Sequence, residues 1–264
     1  MEFRILGGLE AYAAGRRLDI GPGKPRIVLG LLLCRANRVV PVPALREALW
    51  EQDPPRTAHK NLQGYVSGLR ALLGDGAELV HRPPGYLLRV GPEQLDALRF
   101  AELAREGREA ARTGRVAGAA RLLREALALW RGLALPDLGG VPAIAGECER
   151  LRERQLAVLE DWAEAELALG RPDEVAEALE EPCAADPFRE RLRRAQMLAL
   201  FRAGRPGDAL AQYDDLRQRL ARELGIAPSP PLARLYARLL DGAKAMYMIR
   251  CHAQDWSVDP HRIA

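Results

Sequence analysis

Residues 57–73 read TAHKNLQGYVSGLRALL. Laid out at about 100° per residue with Lys60 at zero, Ala58, Leu62, Tyr65, Val66, Leu69, Leu72 and Leu73 fall between roughly 120° and 240°. Lys60, Asn61, Gln63, Gly64, Ser67, Gly68, Arg70 and Ala71 occupy the rest of the wheel. One face of the predicted helix can pack on a core. The other carries a base, two amides, a hydroxyl and an arginine among small residues. A solvated helix surface is the plain reading of that second face. It leaves the glycines unexplained, because each mid-helix glycine costs ~1 kcal/mol relative to alanine. Gly64 and Gly68 make sense if the backbone must come close to another surface. A helix entering the DNA major groove has that requirement. Asn, Gln and Arg are side chains that form paired hydrogen bonds to base edges.

Working outward, Thr57 is the expected N-cap of this helix, after the Pro54-Pro55 stop. Residues 43–50 (PALREALW) predict a short helix ahead of it, and Val39 to Val42 an extended linker. A helix is expected from Pro25, with Ile27, Val28, Leu31 and Leu32 at helical spacing, ending near a left-handed Asn37. Short strands are expected at 2–6, 9–12 and 17–20, separated by glycine-containing turns. On the other side, LVHR (79–82), PPG (83–85) and YLLRV (86–90) predict a β-hairpin. Three helices followed by a basic-tipped hairpin describe a winged helix-turn-helix. Arg82 at the wing is either a contact to DNA or an ordinary exposed hairpin charge.

Charge distribution agrees with that location. The chain has 264 residues and a net charge of +3. Residues 1–96 hold 13 basic against 10 acidic side chains, and the remainder 26 against 26. The excess positive charge therefore sits in the first third, where a polyanionic partner is expected. With 48% hydrophobic residues the chain can bury a core. No apolar run approaches the ~18 residues of a membrane span. The first residues lack the basic start and apolar segment of a secretory signal. A cytoplasmic, nucleoid-associated protein without a membrane partner is expected.

From Leu95 to about Asp241 nearly every segment has helical period, and strand signals are missing. Gly170-Arg171-Pro172 and Gly204-Arg205-Pro206 lie 34 residues apart, each between two amphipathic helices. That spacing is the period of tetratricopeptide repeats. Pro187 falls where such a repeat ends its second helix. Gly114-Arg115 starts a similar turn, 56 residues before Gly170, with a loop around 130–140 and a long helix near 142–169 in the extra length. A plain helical bundle is the alternative. The expected fold is mainly α: a winged helix over 1–94 with a small sheet and wing, a tetratricopeptide-like helical domain over 95–242, and a tail over 243–264 to which no role is assigned.

A search for chemistry finds no catalytic constellation. Gly21-Pro22-Gly23-Lys24-Pro25 resembles a phosphate loop only in part. That motif needs glycine where Leu18 stands and Ser or Thr where Pro25 stands. Cys34, Cys148, Cys183 and Cys251 lack metal-ligand spacing and read as buried free thiols. Cys251, His252, Asp255 and His261 in the tail read as a polar C-terminus rather than a metal site. No enzyme, no metal and no cofactor is expected.

Longer runs carry a resemblance. ANRVVPVPALREALW (36–50), TAHKNLQGYVSGLRALLG (57–74) and LVHRPPGYLLRV (79–90) closely resemble the Streptomyces antibiotic regulatory protein family. So do LDALRFAEL (95–103), REALALWRG (124–132) and MLALFRAGRPGDALAQYDDLRQRLARELGIAPSPPLARLY (197–236). The resemblance covers about residues 2–241. It implies an OmpR-type winged helix followed by a bacterial transcriptional activation domain, in a small stand-alone member. It implies a transcriptional activator that binds double-stranded DNA at direct repeats in promoters, as a dimer, and recruits RNA polymerase holoenzyme, often for antibiotic production. Carried over by residue, Thr57, Lys60, Asn61, Gln63, Ser67 and Arg70 would read the major groove. Arg82 would touch the backbone or minor groove, and Arg26 a phosphate. The chain departs from the family at Gly68 and Ala71, where relatives commonly carry basic residues. That departure weakens the phosphate contribution to affinity and favours the alternative of a protein-interaction scaffold with a weakened DNA-binding domain.

Overall fold

The computed structural model describes the backbone of residues 1–255 and side chains as far as Ala245. Residues 256–264, with His261, lie outside the described residues, as do the side chains of Cys251, His252 and Asp255. By compactness the chain divides into two units, Met1–Leu159 and Glu160–Ala264.

The first unit opens with strands β1 (Glu2–Arg4), β2 (Glu10–Ala13) and β3 (Arg16–Arg17), paired antiparallel in that order. The third strand is shorter than the expected 17–20. Asp19 Oδ1 accepts a hydrogen bond from Gly21 N (2.8 Å), and this side-chain turn bends the backbone away from the sheet. Helix α1 (Lys24–Cys34) starts with Pro25 in its first turn, as expected, and buries Val28 through Leu33. Asn37 has φ 64°, the left-handed conformation anticipated for it.

Strand β4 (Val40–Pro41), helix α2 (Val42–Trp50), helix α3 (Ala58–Leu73) and strands β5 (Glu78–Arg82) and β6 (Gly85–Arg89) complete the winged helix. The second sheet has the order β4-β6-β5, all antiparallel. Gly85 makes this sheet possible. A Cβ there would lie 1.9 Å from the Val40 carbonyl oxygen, so only glycine lets β6 approach β4 so closely.

Helices α4 (Asp96–Arg112) and α5 (Val116–Leu127) belong to the same compact unit, with the first part of the long helix α6 (Pro142–Ala168). Asp96 fastens α4 to the first sheet. Its carboxylate accepts from Ile5 N (2.9 Å), Leu6 N (3.1 Å) and the Arg131 guanidinium (3.1 Å). Burial pushes its carboxyl up from the usual range, against the pull of those donors.

In the second unit α6 ends, and α7 (Pro172–Ala178), α8 (Glu180–Ala185), α9 (Glu190–Arg202), α10 (Pro206–Arg219), a π-helical turn (Leu220–Leu224) and α11 (Pro230–Asp255) follow. The turns after α4, α6 and α9 are copies of one motif. Gly114, Gly170 and Gly204 have φ of 77°, 76° and 78°. In each, the glycine N–H donates three residues back: to Ala111 O (3.0 Å), Leu167 O (3.3 Å) and Phe201 O (3.1 Å). The following Arg115, Arg171 and Arg205 donate five residues back, to Ala110 O (2.9 Å), Glu166 O (3.1 Å) and Leu200 O (2.9 Å). This pair of bonds is the Schellman arrangement that closes a helix on a left-handed glycine. The 34-residue period is thus a repeated helix stop followed by a helix start, and the domain is a tetratricopeptide-like array.

Two details depart from expectation. The second helix of the 170–187 repeat is broken into α7 and α8. Pro182 has no N–H to donate to Ala178 O, so one continuous helix would carry an orphan carbonyl there. The final helix continues past residue 242 to Asp255, because AKAMYMIRCHAQD contains neither glycine nor proline to stop it. Met197, Leu200, Tyr213, Leu216, Leu232, Leu235 and Leu239 form the core of α9, α10 and α11, with Tyr213 stacked on Tyr236 at 4.2 Å.

Candidate nucleic-acid interface

Helix α3 divides as its periodicity requires. Ala58, Leu62, Val66, Leu69 and Leu73 are buried. Lys60, Gln63, Gly64, Ser67, Gly68, Arg70 and Ala71 are exposed, and Asn61 is half-buried. A Cβ added at Gly64 or Gly68 would meet nothing within 4 Å. No internal packing therefore demands glycine at either position. The outer face is a shallow, polar strip whose backbone is open to approach.

The inner face is fastened to the rest of the winged helix. Trp50 of α2 stacks on Tyr65 with ring centroids 6.5 Å apart. Lys24 lies over the Trp50 ring at 4.8 Å, and its Nζ donates to Leu49 O (2.8 Å). This basic residue, part of the incomplete phosphate-loop motif, is a brace between α1 and α2.

Several side chains of the outer face are held by local bonds. Thr57 occupies the N-cap position, but its φ of −90° and ψ of 7° are not those of a capping residue, and it makes no side-chain cap bond. Its Oγ1 instead accepts from Asn61 Nδ2 (3.2 Å). Gln63 Nε2 lies 3.2 Å from His59 Nε2, one helical turn back. These contacts order the amides while leaving their remaining donors and acceptors facing outward. Arg56 is exposed immediately ahead of Thr57. It is a further cation at this end of α3 that helical periodicity does not single out, because it lies outside the periodic segment.

Arg70 has a place that periodicity could not reveal. Its Nε donates to Leu79 O (2.8 Å) on β5, and its guanidinium sits 6.0 Å from the Tyr86 ring on β6. It ties α3 to the wing, so the spacing between helix and hairpin passes through this side chain. Asn37 locks the other edge: Nδ2 donates to Val90 O (2.9 Å) and Oδ1 accepts from Val90 N (3.1 Å). Arg82 is exposed at the hairpin tip, paired in register with Gly85.

Arg26 stands apart from the helix and wing residues. Its guanidinium donates to Asp137 (Nε at 3.1 Å, Nη2 at 2.5 Å) and to Leu9 O (3.2 Å). Its charge is engaged by a carboxylate 111 positions further along the chain. Thr57, Lys60, Asn61, Gln63, Ser67 and Arg70 thus share one helix with Arg82 on the adjoining hairpin, while Arg26 braces the start of α1.

Among the described residues no group of His, Cys, Asp and Glu could hold a metal ion. Burial pushes the Cys34 thiol up to about 12 and the Cys183 thiol to about 11, which keeps both protonated and unreactive at neutral pH. No helix among the described residues is long and apolar enough to cross a membrane.

Residues 95–240 match the family of the bacterial transcriptional activator domain. The chain belongs to the Streptomyces antibiotic regulatory protein family. This member is 38% identical over 250 residues to the regulatory protein DnrI of Streptomyces peucetius, covering 91% of this chain and 92% of that one. It is 37% identical over 246 residues to the transcriptional regulatory protein MoaR1 of Mycobacterium tuberculosis, covering 91% and 79%. A solved structure of Mycobacterium tuberculosis EmbR in complex with a low affinity phosphopeptide superimposes with a TM-score of 0.86 at 37% identity. The match covers 91% of this chain and 65% of the EmbR chain. This family member is a transcriptional regulator with a winged helix and a helical repeat domain.

Proposed function

We propose that this regulator activates transcription by holding direct repeats in double-stranded promoter DNA, as a dimer, and recruiting RNA polymerase holoenzyme to a secondary-metabolite biosynthetic operon. It acts by position, without catalysis, in the cytoplasm on the nucleoid. Residues 1–94 are the DNA-binding module and 95–242 the activation module. Helix α3 enters the major groove, where Asn61 and Gln63 meet base edges while Lys60, Thr57 and Ser67 serve the flanking backbone and bases. Arg70 sets the position of the wing as well as lying on the reading face. Arg82 contacts the backbone or minor groove. A phosphate contact by Arg26 requires its ion pair with Asp137 to open. The observation that carries this reading is the outer face of α3, which places two glycines in open space among hydrogen-bonding side chains.

Fluorescence-anisotropy titration against DNA flanking the gene, at two salt concentrations with random DNA as competitor, tests it. The expected result is competitor-resistant binding weakened by salt. Lys60→Ala should weaken binding to all sequences and make the slope of log affinity against log salt shallower by about 0.9, as for one fewer neutralised phosphate. No binding at low salt would favour a protein-interaction scaffold with a weakened DNA-binding domain. The small residues at Gly68 and Ala71 and the engagement of Arg26 by Asp137 are the features that support that second reading.

A further inference from the structure

Helix α3 carries a contact whose chemistry is decided by which two atoms meet. Gln63 Nε2 lies 3.2 Å from His59 Nε2, one turn back on the helix. Both side chains are exposed, and no other hydrogen bond or ion pair reaches either of them among the described residues. Two nitrogens form a hydrogen bond only if one of them has a lone pair to offer. The amide nitrogen of glutamine has two N–H bonds and accepts nothing. His59 Nε2 is therefore the acceptor, which makes the ring a neutral imidazole with its proton on Nδ1.

This bond sorts the hydrogen-bonding groups of Gln63. One N–H is committed to His59. Oε1 and the second N–H remain, an acceptor and a donor on one amide plane. In the major groove adenine offers the complementary pair, N7 as acceptor and the N6 amino group as donor. Guanine offers two acceptors, N7 and O6. A free glutamine meets guanine by turning both N–H bonds toward it. Gln63 can do so only by giving up this bond or by moving the ring proton of His59 to Nε2. The contact thus acts against a wrong base more than for the right one, and specificity is a difference between the two.

The place of the pair on the helix fits that use. At about 100° per residue His59 and Gln63 stand on the same flank of α3 as Arg70, whose guanidinium is bonded to Leu79 O on β5. On the opposite flank the same four-residue spacing joins Thr57 Oγ1 to Asn61 Nδ2 at 3.2 Å. A threonine hydroxyl donates as readily as it accepts, so Asn61 can turn over and keep its partner. His59 Nε2 in this tautomer only accepts, so Gln63 cannot.

We propose that His59 is a positioning residue for sequence reading: its Nε2 holds the Gln63 amide so that the free acceptor and donor select adenine over guanine. This role rests on the DNA-binding reading of α3, and adds to it a base preference and the residue that sets it.

The test first finds the base pair that Gln63 reads. The full chain and its Gln63→Ala variant are compared in competition binding to DNA flanking the gene, with each base pair varied singly. The pair whose preference is lost in Gln63→Ala marks the contact, and adenine is the expected base there. In His59→Ala the preference for adenine over guanine at that pair should fall about fivefold, part of what a paired contact to a base edge supplies. Affinity for the unaltered DNA should fall only about twofold, because Gln63 is no longer ordered in advance. A merely structural loss would weaken binding to both DNAs alike. His59→Gln restores an acceptor one turn back and should recover the wild-type preference. The double variant His59→Ala/Gln63→Ala should match Gln63→Ala alone, since His59 acts only through Gln63. Without DNA, 15N NMR in mildly alkaline solution should place the His59 proton on Nδ1, and the Gln63 side-chain amide resonances should move in His59→Ala. Sequence-specific binding in which His59→Ala keeps the wild-type preference, or in which Gln63 reads a base other than adenine, overturns the proposal alone, as does a proton on His59 Nε2. Absence of sequence-specific binding by the wild type overturns the DNA-binding reading and this role with it.

Discussion

The outer face of α3 and the turns of the helical repeats both rely on glycine, for opposite reasons. At Gly114, Gly170 and Gly204 the backbone itself requires it: φ near +77° is open to glycine and costly for a side chain. At Gly64 and Gly68 the backbone is ordinary helix and a Cβ would meet nothing. Folding is served in the first set and hindered in the second, where alanine would make a better helix. A residue that costs stability without an internal reason points to an external one. In the DNA-binding function proposed for α3, that reason is the close approach of the duplex. Gly85 sits with the turn glycines in this respect, because the Val40 carbonyl oxygen occupies the space of its Cβ.

Four substitutions probe the contrast. The largest effect is expected for Gly85→Ala, which forces β6 away from β4. It should lower unfolding free energy by about 3 kcal/mol in urea denaturation. A loss below ~1 kcal/mol would mean that β4 yields easily and does not hold the wing. Next, Gln63→Ala should leave stability intact and remove about 2 kcal/mol of discrimination, roughly 30-fold, between cognate and single-base-variant DNA in competition binding. Unchanged discrimination would move the base contact off this residue. Gly204→Ala should cost about 1.5 kcal/mol, as a non-glycine residue is driven into the left-handed region. The smallest effect carries the sharpest sign. Gly68→Ala should raise stability by just under ~1 kcal/mol while weakening DNA binding. Stability gained with affinity unchanged would return that face of α3 to plain solvated surface.

Much of the architecture is readable along the chain because its signals are local. The two faces of α3 follow from a 3.6-residue period within 16 residues, and the buried and exposed positions fall as that period places them. The repeat turns follow from Gly-Arg, whose hydrogen bonds reach back no more than five residues. The hairpin follows from PPG between two β-prone runs. The departures are local too. The broken second helix at 172–185 is written in Pro182, and the shortened third strand in the Asp19 turn.

Roles that rest on partners distant in the chain are not readable in this way. Arg26 and Asp137 are 111 positions apart, and nothing in the spacing of either announces the other. The same holds for the Asp96 carboxylate, which receives amides from residues 90 and 91 positions away. Arg70 sits on the polar arc of its helix as its sequence position predicts, yet its guanidinium is bound to the Leu79 carbonyl. Trp130 is an ordinary aromatic residue in the sequence, and only the folded chain sets its ring edge-on against Phe100 and buries its indole N–H without an acceptor.

Helix periods, caps and turn residues act through bonds between near neighbours, so residue order alone specifies them. Which charge is neutralised, which donor is stranded and which side chain is held open depend on surfaces that meet after the chain has folded back on itself. Lys60 and Gln63 could be placed on an exposed face from sequence because a helix carries its own geometry. Arg26 could not be placed, because its environment is made by a loop from elsewhere in the chain.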